Sequence, residues 1–181
     1  QTRKNVETQI RRARDLDQFT LPYQPKVDSR TGKVVGSEAL IRWESPERGL
    51  VLPGEFIPIA EECGLIVPIG EWVLRKACAQ ASAWRDSGRA PSRVAVNLSP
   101  LQFRRPDFAN TVISILDESG LDPRDLELEI TENVVMADFK TTEFSLQALY
   151  DHGVRLVIDD FGTGYSSLTY LKRFPVYKLK I

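Results

Sequence analysis

Glu38, Asn97, Glu129 and the adjacent Asp159 and Asp160 are the residues of this sequence best suited to hold a cation; Lys180 and Arg42 are the best suited to meet an anion. All the cation donors offer oxygen, and none offers sulfur or imidazole. Hard oxygen donors favour Mg2+ or Mn2+ over zinc or copper. Adjacent aspartates point to opposite faces within a strand, but just beyond its end the chain can turn both towards one cavity. Such a pair could bridge two ions, and a two-ion site suits in-line displacement at a phosphodiester. Lys180 and Arg42 would then neutralise phosphate oxygens.

Other chemistries lack their residues. His152 is the single histidine; it stands beside the helix-ending Gly153 and reads as a cation at a helix C-terminus. Cys63 and Cys78 lie in helical patterns without CxxC spacing and read as buried reduced thiols of a cytoplasmic protein. Zinc catalysis and a Ser–His–Asp relay are thereby excluded. The 24 basic and 25 acidic residues nearly cancel, so no global field recruits DNA or a membrane, and a phosphate-bearing ligand must be held locally. With 181 residues, 42% of them apolar and 27% charged, the chain can bury the core of one globular domain. No apolar run approaches a membrane span, and no signal peptide is visible.

The elements that must position these groups follow from periodicity. Residues 1–17 have a helical pattern, with Val6, Ile10 and Ala13 in step, and form either a linker helix from an upstream domain or a surface helix packed on residues 18–181. Two strand-like runs, Phe19–Val27 and Val34–Trp43, flank a short turn containing Gly32 and imply an antiparallel pair. Helices are predicted over Pro53–Glu62, Ile69–Arg85 and, capped by Asp107 and stopped by Gly120, up to Ser119. Strands at Arg93–Leu98, Leu126–Ile130, Val154–Ile158 and Val176–Ile181 alternate with these helices and with others near Thr141–Tyr150 and Tyr165–Lys172. Such alternation means parallel βα units, in an open doubly wound sheet or part of a (β/α)8 barrel.

Alternation also divides each strand into two faces. Val94, Val96 and Leu98 oppose Ala95 and Asn97; Leu126, Leu128 and Ile130 oppose Glu127 and Glu129. Val154, Leu156 and Ile158 oppose Arg155, Val157 and Asp159; Tyr177, Leu179 and Ile181 oppose Lys178 and Lys180. The apolar face suits packing under helices. The other ends in a polar group on all four strands, at the strand ends where parallel α/β folds build active sites. The second run adds Glu38 and Arg42, on one face with Leu40, while Glu127 and Lys178 lie one layer deeper and read as a structural pair. A water-facing sheet would show similar alternation, but parallel sheets are normally covered on both sides. The loop Phe161, Gly162, Thr163, Gly164, Tyr165, Ser166, Ser167 follows the aspartate pair and reads as a mobile loop coupling metal and substrate binding.

In order and spacing these segments resemble the EAL family. The tripeptide itself is Glu38-Ala39-Leu40, followed by Ile41-Arg42-Trp43; Tyr23-Gln24-Pro25, Asn97-Leu98-Ser99, Glu129 to Glu132 and Asp159 to Leu168 also match. The likeness runs from about Phe19 to the end. It implies a TIM-like (β/α)8 barrel whose first strand is antiparallel, and hydrolysis of cyclic di-GMP to linear pGpG with Mg2+ or Mn2+. By the resemblance Glu38, Asn97, Glu129 and Asp159 hold one metal, Asp159 and Asp160 serve a second, and Lys180 orients the attacking water. Gln24, Leu40 and Arg42 contact the nucleotide. The glycine-rich loop regulates metal binding and borders a homodimer interface, and an upstream sensor or GGDEF domain is a common companion in a cytoplasmic or membrane-tethered parent.

One departure lies at the end. The family continues the last motif with an Asp after Lys180-Ile181, and its seventh and eighth strands with later glutamates are missing here. The expectation is a barrel truncated after the sixth strand and catalytically crippled by itself. Two alternatives to an enzyme remain open: a receptor that binds cyclic di-GMP without cleaving it, and an interaction module whose inward charges are structural pairs.

Overall fold

Helix α1 (Arg3–Asp15) opens the computed structural model of the chain, which describes residues 3–89, 91, 93–137, 139–162 and 176–180. Strands β1 (Phe19–Thr20), β2 (Tyr23–Val27), β3 (Val34–Ala39), β4 (Arg42–Ser45) and β5 (Gly49–Val51) follow, then α2 (Pro53–Glu62) and α3 (Ile66–Asp86). Next come β6 (Val94–Asn97), α4 (Pro100–Phe103), α5 (Phe108–Ser119), a 3-10 turn at Pro123–Asp125 and β7 (Leu126–Thr131). Helices α6 (Glu132–Ala137) and α7 (Phe139–Asp151) lead to β8 (Arg155–Asp159) and β9 (Val176–Leu179). The helix expected at Tyr165–Lys172 lies outside the described residues, as does Ile181.

Six strands form the main sheet in the order β2-β3-β6-β7-β8-β9. The β2–β3 pair is antiparallel, with Gln24 opposite Glu38, and every later pair is parallel. The turn between β2 and β3 is closed by the Asp28 carboxylate, which accepts from Arg30 N at 2.8 Å, and by Gly32 at a left-handed φ of 68°. The architecture is α/β, with the strands of a TIM-like barrel whose first member is reversed. Among the described residues β2 and β9 are edges that do not pair with each other.

Each of the first two predicted strands divides in two, which corrects the reading of Phe19–Val27 and Val34–Trp43 as continuous. Leu21–Pro22 and Leu40–Ile41 turn a corner: Pro22 has no N–H to give the ladder, and its carbonyl accepts instead from Leu40 N at 3.0 Å. Beyond the corner the chain enters a second sheet, β1-β4-β5, with Phe19 opposite Trp43 and Trp43 opposite Val51. Strand β5 and helices α4 and α6 were not anticipated; each is too short to display a period.

The sheets serve two cores. Val94, Val96, Leu126, Leu128, Leu156 and Ile158 face α3, α5 and α7 in the larger one. The smaller gathers Val6, Ile10 and Ala13 of α1 with Phe19, Trp43, Val51, Phe56 and Ile69, so α1 packs on the rest of the chain along its apolar stripe. Trp43 and Phe56 are fully buried and meet edge to face at 6.0 Å. Two local expectations fail. Asp107 stands at the start of α5, but its carboxylate takes the Arg105 guanidinium at 2.9 and 3.0 Å instead of capping the helix. Tyr177 and Leu179 of β9 are 49% and 41% exposed, not buried under the described helices; the β8–β9 register is irregular between Leu156 and Val157, and Tyr177 lies instead against the Arg155 guanidinium, 4.4 Å from its ring.

Candidate active site

Register brings the polar strand ends together. Asn97 of β6 stands opposite Glu129 of β7, and Thr131 opposite Asp159 of β8, while Glu38 of β3 lies opposite Ala95. Lys180 follows β9 and is fixed by its backbone, donating to Ile158 O at 2.8 Å and accepting from Phe161 N at 3.0 Å. Its Nζ then lies 3.0 Å from Glu129 Oε2, 3.4 Å from Glu38 Oε2 and 3.5 Å from Asp159 Oδ2. Asn97 Nδ2 donates to Glu38 Oε1 at 2.8 Å, which leaves the amide oxygen as its remaining acceptor.

At Glu129 burial and neighbouring charge oppose one another. Its carboxylate is buried, which by itself raises its pKa. Lys26 and then Lys180 outweigh that penalty through hydrogen bonds and charge, and the net shift is downward. Burial likewise works against the Lys180 ammonium, but Glu129, Glu38 and Asp159 together raise it above an ordinary lysine. Both groups are therefore held charged.

Gln24, Lys26, Glu38, Glu129, Lys178 and Lys180 line one cleft of about 410 Å³. Lys26 was missed in the sequence, although strand alternation places it on the face of Gln24. Its Nζ donates to Glu129 Oε1 at 2.6 Å and lies 3.4 Å from Glu127 Oε2. The deeper pairing of Glu127 with Lys178 is present at 3.7 Å, joined by Arg93 at 3.8 Å. Leu40 and Asn97 border a second, apolar cavity of about 360 Å³ shared with Ile57, Glu61, Ile69 and Ser99.

Arg42 departs from the expected arrangement. The corner at Leu40–Ile41 removes it from the strand of Glu38 and places it first in β4, where its guanidinium donates to Ile41 O at 2.9 Å and Leu40 O at 3.3 Å. Asp160 adopts a left-handed φ of 53°, and its N–H donates to Asp159 Oδ1 at 2.8 Å, so the chain does turn sharply at the aspartate pair. Gly162, at φ 93°, donates its N–H to Glu132 Oε2 at 3.0 Å. Buried Glu132 thus anchors the start of the loop, a role that no local pattern signalled. Thr163, Gly164, Tyr165, Ser166 and Ser167 lie outside the described residues, so the remainder of the expected regulatory loop is not placed.

Among the described residues no three carboxylates stand close enough to enclose an ion unaided. Lys180 Nζ occupies their meeting point instead and acts as a stand-in cation within 3.5 Å of three carboxylates. The donor set of Glu38, Asn97, Glu129 and Asp159 is all oxygen and fits a hard divalent ion.

Parallel strands that end in a convergent acidic cluster with a lysine at its centre place these groups at the carboxyl ends of the strands, where α/β-barrel folds carry their active sites. The chain belongs to the EAL domain family, whose model matches residues 7–181. It is 50% identical over 179 residues to an uncharacterized protein of Synechocystis, covering 99% of this chain and 26% of that one. It is 49% identical over 172 residues to the bifunctional diguanylate cyclase/cyclic di-GMP phosphodiesterase MucR of Pseudomonas aeruginosa, covering 95% of this chain and 25% of that protein. The chain thus spans about a quarter of the length of these relatives. The solved PaMucR phosphodiesterase in complex with c-di-GMP superposes with a TM-score of 0.94 at 48% identity, over 98% of this chain and 72% of that one.

Proposed function

We propose that this chain carries the active-site residues of a phosphodiesterase that hydrolyses cyclic di-GMP to linear pGpG with Mg2+ or Mn2+. The observation that carries the reading is the convergence of Glu38, Glu129 and Asp159 on one positive charge at the ends of parallel strands. Family membership and the likeness to a c-di-GMP complex support the substrate. Glu38, Asn97, Glu129 and Asp159 are the residues that would hold one ion, and Asp159 with Asp160 those that would serve a second. When bound, such ions polarise a phosphoryl oxygen and acidify a water.

This chain's own groups do the rest. Lys180, whose ammonium stands in for the ion among Glu38, Glu129 and Asp159, would move aside when an ion is bound, orient the attacking water and meet negative charge as it develops on the phosphate. Gln24 reaches the substrate from the wall of the acidic cleft, and Leu40 offers apolar surface at the neighbouring cavity. Arg42 meets the nucleotide only by exchanging its bonds to the Leu40 and Ile41 carbonyls for the ligand's oxygens. Cytoplasmic location, homodimerisation and a GGDEF or sensor domain in the same polypeptide belong to this proposal.

Mass spectrometry of cyclic di-GMP incubated with Mg2+ or Mn2+ and the full-length parent polypeptide, in parallel with residues 1–181 alone, tests the reading. Linear pGpG is the expected product of the parent, with little or no turnover by residues 1–181 alone. Glu38→Ala is expected to lose about 100-fold or more, since even groups that merely orient a metal ligand account for 10- to 100-fold. Binding of cyclic di-GMP without turnover by the folded, metal-loaded parent would replace the enzyme with a receptor.

A further inference from the structure

Both oxygens of the Glu129 carboxylate are engaged, each by a different lysine. Lys26 Nζ holds Oε1 at 2.6 Å and Lys180 Nζ holds Oε2 at 3.0 Å. The two lysines differ in what else they touch. Lys180 shares its charge with Glu38 and Asp159 at the strand ends, whereas Lys26 turns inward and shares its charge with Glu127, the fully buried carboxylate one layer deeper. Lys26 comes from the hairpin strand β2, opposite Gly36, and crosses beneath the Glu38 position to reach a strand 103 residues away. Its own side chain is 24% exposed, so it is anchored between two buried acids rather than waving in the cleft.

We infer that Lys26 is a positioning residue that reserves Oε1 of Glu129 and leaves Oε2 as the only oxygen this carboxylate presents to a cation. The inference rests on the proposed reading of Glu129 as a metal ligand. Its consequence is a preference among ions. Mg2+ and Mn2+ accept compact octahedral sets, whereas Ca2+ takes six to eight oxygens and readily uses both oxygens of one carboxylate. A Glu129 with one oxygen reserved is a poorer ligand for Ca2+ than for Mn2+. Lys178 is the internal control: it carries the same charge in the same cleft but makes its ion pair with Glu127, at 3.7 Å, and not with Glu129.

The test is direct ion binding to the protein, with Mn2+ followed by electron paramagnetic resonance and Ca2+ by competition, in wild type, Lys26→Met, Lys26→Arg and Lys178→Met. Lys26→Met is expected to shift the Ca2+/Mn2+ affinity ratio about tenfold towards Ca2+, the scale on which groups behind a metal ligand act. Lys26→Arg is expected to restore most of the wild-type ratio, and Lys178→Met to leave it unchanged. If Lys26→Met does not fold, Lys26→Ala carries the same expectation, with water admitted beside Glu127. A loss of charge alone would move both affinities together; an unchanged ratio in a folded Lys26 variant overturns the inference, as does an equal shift in Lys178→Met. Wild-type protein that binds no Mn2+ would instead overturn the metal site of the proposed function.

Discussion

A Gly→Ala change in the middle of an exposed helix stabilises by about 1 kcal/mol through helix propensity, but Gly70 is buried near the start of α3. In α3 the opposite sign is expected. A Cβ on Gly70 would overlap Nε2 and Cδ of Gln102 and come within 2.7 Å of Oε1. The Gln102 side chain is flexible, so the overlap itself can be relieved. It is also buried and employed: Oε1 accepts from Ser99 N at 3.0 Å, one half of the capping box of α4, whose N-cap Ser99 lies two residues after Asn97. Displacing the amide strands a buried N–H, at about 1–3 kcal/mol, and repacking the amide adds about 1 kcal/mol. Less the propensity gain, Gly70→Ala is expected to destabilise by about 1–3 kcal/mol. In a Gln102→Ala background all three nearest neighbours of the new Cβ are gone, the cap is already lost, and the same change is expected to stabilise by about 1 kcal/mol. Urea unfolding of the four proteins of the cycle, at unchanged m, reads both signs. Gly70→Ala acting with the same sign and size in both backgrounds would refute the coupling.

Burial pushes the Cys78 thiol up to about 12 from 9.0. At pH 8 its thiolate is about a thousandfold scarcer than that of an unperturbed thiol, so buried Cys78 should resist a thiol reagent in the native protein and react only on unfolding, while the more accessible Cys63 is labelled first. The same shift is a stability statement. Because the native thiol keeps its proton where the unfolded one has lost it, stability is full below pH 9 and falls between pH 9 and 12; Cys78→Ala should flatten that slope, read by denaturant midpoints across the range. Lys180→Met leaves Glu38, Glu129 and Asp159 without their common cation. A cost of about 1–3 kcal/mol is expected, below that of a fully buried pair because Lys180 is 39% exposed. Mn2+ should then raise the melting temperature of the variant more than that of wild type, and an equal or smaller rise would show that ammonium and metal do not share one place.

The amino-acid sequence by itself determined the faces. Strict alternation around Asn97, Glu129 and Asp159 needs no tertiary knowledge, because successive side chains in a strand must point to opposite sides, and the observed register sets these residues along one edge of a parallel sheet. The antiparallel hairpin was legible for the same local reason, in its turn chemistry at Asp28–Lys33. The family resemblance rested on the same short segments, and the family match agrees with it.

Tertiary structure decided where the faces stop and what crosses between them. Arg42 and Glu38 share parity in the sequence, yet the corner at Leu40–Ile41 puts them in different sheets, since the fate of one ladder depended on Pro22 in the other strand. The reach of Lys26 to Glu129 and the anchoring of Gly162 by Glu132 join residues 103 and 30 positions apart. No local period encodes such contacts. They arise only once strand order and stagger have brought long side chains to a common centre, where a buried carboxylate must find a positive charge or pay the full cost of desolvation.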